Sequence, residues 1–171
     1  MIKIVFTGPE CSGKTTLSIE IAKQFNAPLV QEYAREYLES IQRDYNYNDL
    51  IQIAKGQLKI EQEHSKKTNQ LLICDTNLQV IKIWSQIKYA KCDSFILKNL
   101  DTEAYYVLCY PDFPWEYDPL RENERDRVKL AKHYHQDLIK NNYKFIIARG
   151  SQKKRISFVK SVINKMISQS F

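Results

Sequence analysis

The octapeptide Gly8-Pro9-Glu10-Cys11-Ser12-Gly13-Lys14-Thr15 limits the folds open to this chain more than any other feature. It satisfies G-x-x-x-x-G-K-[ST] at every fixed position. It follows an apolar run over 2–6 and opens a segment in which Leu17, Ile21 and Phe25 recur on one helical face. Strand, glycine loop and helix in register make a phosphate-binding device. Glycines let successive N–H groups, those of Glu10, Cys11 and Ser12 among them, turn inward on phosphate oxygens, and the helix N-terminus adds partial positive charge. Lys14 is expected to reach the β- and γ-phosphates and Thr16 to touch the α-phosphate. The Thr15 hydroxyl is expected to be a hard oxygen ligand for magnesium.

Four more apolar runs, over 28–31, 71–74, 104–109 and 145–148, are nearly continuous, as strands buried on both faces are. Helical periodicity separates them: Leu50, Ala54 and Leu58; Leu78, Ile81 and Trp84; Val128, Ala131, Tyr134 and Leu138; and finally Ile156, Val159, Ile163 and Met166. Alternation of this kind predicts an α/β fold, a three-layer P-loop NTPase arrangement in which a five-stranded parallel sheet carries helices on both faces. With 171 residues and no repeat or linker, one domain over 1–171 is expected.

Composition removes several function classes. No apolar run approaches the roughly 18 residues that span a bilayer, so a cytoplasmic location without membrane association is expected. The four cysteines, Cys11, Cys74, Cys92 and Cys109, are scattered without C-x-x-C spacing and read as reduced, mostly buried thiols. The net charge of +6 suits phosphorylated ligands. Its densest cluster, Lys153-Lys154-Arg155, opens an amphipathic helix, which disfavours nucleic-acid binding. His64, His133, His135 and the tyrosines at 45, 47, 105 and 106 read as packing or surface residues.

A phosphate loop settles nucleotide binding but not the reaction. No N-K-x-D segment for guanine exists, and the size fits a small-molecule kinase better than a motor ATPase; ATP and Mg2+ are the expected cofactors. The third strand delivers Asp75, suited to orienting magnesium or holding an acceptor hydroxyl, or else to capping the next helix. The second strand ends at Glu32, where a carboxylate can take a hydroxyl proton from an acceptor. Arg35 can hold the acceptor or pair with a neighbouring glutamate. Three prolines between 111 and 119 argue against helix, and Arg121, Arg125 and Arg127 follow within seven residues. These suit a lid, about 112–130, whose arginines neutralise a transferring phosphoryl group. Gly150 ends the fifth strand and is a candidate for close backbone approach to adenine, the alternative being an ordinary turn capped by Ser151.

The phosphate loop, the segment Glu32-Tyr33-Ala34-Arg35-Glu36-Tyr37, Cys74-Asp75-Thr76-Asn77 and above all 111–123 resemble the ribosylnicotinamide kinase domain of the bifunctional NAD-biosynthesis regulators. Pro114, Trp115, Asp118 and Arg121 match its Pro-Trp-x-x-Asp-x-x-Arg pattern. The resemblance covers nearly the whole chain. It implies a nucleoside-kinase-like sheet and phosphorylation of the 5′-hydroxyl of nicotinamide riboside to nicotinamide mononucleotide. A small nucleoside is thus the expected partner, with Glu32, Tyr33, Arg35, Asp75, Trp115 and Asp118 as acceptor-site candidates. No His-x-x-His or His-x-Gly-His motif is present, so synthesis of the dinucleotide is not expected. Some members carry tryptophan before the Glu-Tyr pair. Here the residue is Gln31, and Tyr33, Tyr37 and Trp115 are the candidate replacements.

Overall fold

A computed structural model describes residues 1–169. Five strands, β1 (Ile2–Thr7), β2 (Leu29–Val30), β3 (Leu71–Asp75), β4 (Tyr105–Cys109) and β5 (Lys144–Ala148), form one sheet. The order is β2-β3-β1-β4-β5 and every pairing is parallel. The helices are α1 (Lys14–Phe25), α2 (Tyr33–Ile41), α3 (Tyr47–Ser65), α4 (Leu78–Tyr89), α5 (Ser94–Lys98), α6 (Arg127–Lys140) and α7 (Gln152–Ser168). The expected α/β class and the five parallel strands are present.

The three central strands are hydrophobic on both faces because both faces are covered. Ile4, Phe6, Ile73 and Val107 pack with Leu17 and Ile21 of α1 and Val159 and Ile163 of α7. On the other face Val5, Leu72, Cys74 and Leu108 meet Ile83 of α4 and Tyr134 and Leu138 of α6. A third cluster joins α2, α3, α4 and α5 through Ala34, Leu50, Ile53, Leu78 and Ile96. Register then sets the site. Phe6 lies opposite Asp75, and Thr76 donates its N–H to the Phe6 carbonyl at 3.1 Å, so β1 and β3 end side by side.

Several expectations change. β2 is two residues long rather than four because Glu32 already caps α2, with φ −68° and ψ 114°. Helices α2 and α5 were not anticipated; each is short, and α5 starts where Asp93 accepts from the Phe95 N–H. Val128 is 50% exposed, and Leu130 takes its place in the buried stripe of α6. Cys74 and Cys109 are buried, but Cys11 and Cys92 are only half-buried. The predicted lid is irregular to Asp126, and its last residues form the first turn of α6.

The turn from β1 into the phosphate loop admits no side chain. Gly8 has φ 130°, and a Cβ there would stand 2.5 Å from the Cys109 carbonyl oxygen, which is backbone of the neighbouring strand and cannot rotate away. Gly8→Ala is therefore expected to destabilise the protein by about 3 kcal/mol, read from urea unfolding.

Candidate functional site

The phosphate loop curls between β1 and α1, with Cys11 and Gly13 at φ 50° and 79°. Gly13 precedes the first turn of α1, whose leading N–H groups have no capping side chain. The Lys14 ammonium folds back onto the Pro9 carbonyl at 2.9 Å, in the rim of the loop. The loop is held from beneath by Arg155, which is fully buried. Its guanidinium donates to the carbonyls of Ser12 (2.7 Å), Tyr110 (2.7 Å) and Gly150 (2.9 Å) and to Asp112 Oδ2 (3.1 Å), and lies 4.5 Å from the Phe113 ring centre. Three carbonyls and one carboxylate offset the desolvation of this cation.

Two carboxyls approach the loop from β2 and β3. Asp75 is 3% exposed. Burial raises its pKa, against the opposing effects of a hydrogen bond with the Thr15 side chain and of nearby Lys14. Its Oδ1 is buried without a hydrogen-bond partner, as is Ser12 Oγ. The cap of α4 is instead Asn77, which accepts from the Gln79 N–H, so Asp75 is not used as a helix cap. Glu32 caps α2 by position alone, making no side-chain cap bond. Burial raises its pKa too, moderated by Lys14 and reinforced by Asp75.

A cleft of about 750 Å3 runs from the phosphate loop across these groups. Of the candidates, Gly8, Glu10, Cys11, Ser12, Gly13, Lys14, Thr15, Thr16, Glu32, Arg35 and Arg121 line it. The rest lie elsewhere. Tyr33 points away: its ring occupies the space a Cβ on Gly56 would need, 2.0 Å off, and its N–H donates to Gln57. Trp115 is half-buried inside the lid, with Arg121 and Arg127 at 6.0 and 5.6 Å from its ring centre. Asp118 binds Arg35 at 2.6 Å. Arg125 is exposed in the turn before α6. Arg127 is a strut, donating to the carbonyls of Phe113 (2.9 Å) and Cys11 (3.4 Å). Gly150 is committed to Asp112 Oδ2 at 2.6 Å.

The lid is docked over the cleft. Glu10 accepts from the N–H groups of Glu122 and Asn123, and Arg121 donates to the Glu116 carbonyl at 2.6 Å. Glu122 in turn accepts from Tyr45 Oη and Lys88 Nζ, both at 2.8 Å. Trp84, whose Nε1 donates to Tyr45 Oη at 2.9 Å, lines the far end of the cleft with Leu38, Val80, Ile83 and Ile87.

Sequence reasoning missed Trp84, Lys88, Glu122, Asp112 and Arg155. The first two lie on α4 one helical turn apart, a spacing that places them together on one face. Arg155 gave no signal, since in the sequence it belongs to a run of three basic residues that reads as solvated.

A phosphate loop at the central strand, two acids at the neighbouring strand ends and a roof over both define a P-loop nucleotide-binding fold of the nucleoside-kinase type. The pattern of the AAA domain family matches residues 3–155, and the chain belongs to that family. It is 25% identical over 151 residues to the trifunctional NAD biosynthesis/regulator protein NadR of Escherichia coli (strain K12) and to that of Salmonella typhimurium. The alignment takes in 84% of this chain but only 37% of either relative. The crystal structure of NadR in complex with NR superposes with TM-score 0.78 at 18% identity, over 97% of this chain and 50% of that one. Deoxyadenosine kinase from M. mycoides, with products dCMP and dCDP bound, gives 0.69 at 18% identity, over 96% of this chain and all of that one. These likenesses establish the fold. Among the described residues no helix is long and apolar enough to cross a membrane.

Two expectations follow from the buried charges. Arg155→Met should destabilise by about 3–5 kcal/mol in chemical unfolding, because three carbonyls and Asp112 lose their shared cation. A carboxyl whose pKa is raised by folding costs stability once ionised: the cost is absent below its unfolded pKa near 4 and complete above its folded pKa. Asp75→Asn should therefore raise the thermal midpoint at pH 7 to 8 without added metal, and the difference should vanish as the pH falls below about 4.

Proposed function

We propose that this chain is an ATP-dependent kinase that phosphorylates the 5′-hydroxyl of a nucleoside, with nicotinamide riboside as acceptor. One observation carries the reading: a single cleft joins the phosphate loop to a largely apolar chamber between α2 and α4, and Glu32 lines it within electrostatic reach of Lys14, Asp75, Arg35 and Glu10. A donor on the loop and an acceptor in the chamber would meet beside that carboxylate.

The two acids then separate by role. Glu32 lines the cleft, its carboxylate makes no cap bond and its pKa is raised, which suits it to accept the hydroxyl proton as the oxygen attacks phosphorus. Asp75 lies beneath, bound to Thr15, with one oxygen unpartnered. Thr15 and Asp75 thus fit a magnesium ion, which when bound would neutralise phosphate charge and align the transferring group. Lys14 faces the outer phosphates, and Arg121 closes over the same space from the lid. The acceptor oxygen gains the γ-phosphoryl group, its proton passes to Glu32 and ADP departs.

For the acceptor, Gln31 is exposed, and none of Tyr33, Tyr37 and Trp115 lines the cleft, whereas Trp84 does. An indole face at that end suits a pyridinium ring, an attraction of roughly 0.5–2 kcal/mol. The likeness to NadR, solved with NR, supports this acceptor over a deoxynucleoside.

The test is a coupled ADP-release assay over nicotinamide riboside, deoxyadenosine, deoxycytidine and uridine. The highest kcat/KM is expected with nicotinamide riboside; a higher value for a deoxynucleoside would reject that acceptor. Lys14→Ala should lower kcat by at least about 10²–10³ with the fold unchanged by circular dichroism. Retained turnover in that variant would refute the phosphate-loop assignment.

A further inference from the structure

We propose that Glu10, inside the phosphate loop, is the positioning residue that sets Arg121 over the transferring phosphoryl group. The inference rests on the kinase reading above and adds a role for a residue whose side chain that reading does not use.

A carboxylate in a loop built to bind polyphosphate is electrostatically out of place. It is tolerable only where its oxygens are already engaged by donors. Glu10 meets that condition through the lid: Oε1 accepts from the Glu122 N–H at 3.1 Å and Oε2 from the Asn123 N–H at 2.9 Å, across more than a hundred residues of sequence. Each oxygen takes one amide, so two successive peptide units are fixed at once. Arg121 immediately precedes them. Its own N–H closes a turn on the Asp118 carbonyl at 3.0 Å, and its guanidinium reaches Glu116 O at 2.6 Å along the cleft roof.

Elsewhere the lid meets the phosphate loop at Cys11, whose Sγ accepts from the Glu116 N–H at 3.5 Å and whose carbonyl accepts from Arg127 at 3.4 Å. On the acceptor side it is moored at Arg35 to Asp118 and at Lys88 and Tyr45 to Glu122. Those fix the distance of the lid from α2 and α4. Glu10 ties the same segment to the loop that carries the donor. Arg121 is thereby referenced to the phosphates themselves, which is what an arginine needs if it is to stabilise charge developing on a group in transit.

Side-chain chemistry makes the claim specific. In Glu10→Gln one oxygen becomes an NH2 group facing a peptide N–H, so one bond is lost and two donors oppose each other. Glu10→Asp keeps both acceptors but withdraws them by a methylene. The experiment combines kinetics with amide hydrogen exchange. Exchange at 122 and 123 should quicken about tenfold or more in Glu10→Gln, with little change in thermal midpoint. The kcat should fall on the order of 10²-fold, the loss that a misplacement of about 1 Å produces, while the KM for ATP stays within about twofold. Glu10→Asp should recover part of the rate.

A double-mutant cycle separates positioning from other effects. In an Arg121→Ala background, Glu10→Gln should cost little further rate. An equal loss in both backgrounds, a loss carried by the KM for ATP alone, or unchanged exchange at 122 and 123 would overturn the proposal. Should the unaltered protein phosphorylate no acceptor, the kinase reading fails and the role of Arg121 falls with it. The exchange data would still decide whether Glu10 holds the lid.

Discussion

A single buried cation holds this molecule's phosphate loop in shape. A loop that offers its amides to a ligand must turn its carbonyls elsewhere, and those carbonyls need donors. Arg155 supplies them to Ser12 in the loop, Tyr110 after β4 and Gly150 after β5, with Asp112 as counter-charge. Three connections that meet only in the folded state are thereby fixed by one side chain. The planar guanidinium suits this task because its five donors diverge in fixed directions, which an ammonium cannot reproduce.

From that fixed point the site is assembled by strand register. The pairing of Phe6 with Asp75 puts an acid beside the loop, and the adjacency of β2 to β3 puts Glu32 beside that acid. Both carboxyls are held at raised pKa by burial. Thr76, a β-branched residue, takes φ 72° immediately after Asp75, a strained conformation kept where the strand end turns sharply. Over this arrangement the lid is moored to both halves of the cleft by bonds made almost wholly of charged side chains and backbone amides. Such bonds on an exposed segment are individually weak, so the lid is held by their number rather than by any one of them.

Much of this was legible beforehand, for identifiable reasons. The five strands and five longer helices announce themselves because each must be apolar on the faces it buries. Helix α2 carried its own signal, Ala34, Tyr37, Leu38 and Ile41 at helical spacing, over only nine residues. Glu32, Arg35 and Arg121 reach the cleft as their places at a strand end and in a lid suggest. Tyr33 fails because its side chain goes to Gly56, a contact 23 residues away that no local pattern encodes. Trp115 and Arg127 belong to the interior of the lid, where their contacts stabilise the loop itself.

The sequence by itself determined the phosphate loop, the α/β class and the strand-end acids, because backbone curvature, burial and strand termini leave marks that run along the chain. Only the tertiary structure decided that Trp84 lines the cleft, that Glu10 faces the lid and that Arg155 lies buried beneath the loop. Each of those depends on which distant segments meet. A charged residue looks the same in sequence whether water or three backbone carbonyls surround it.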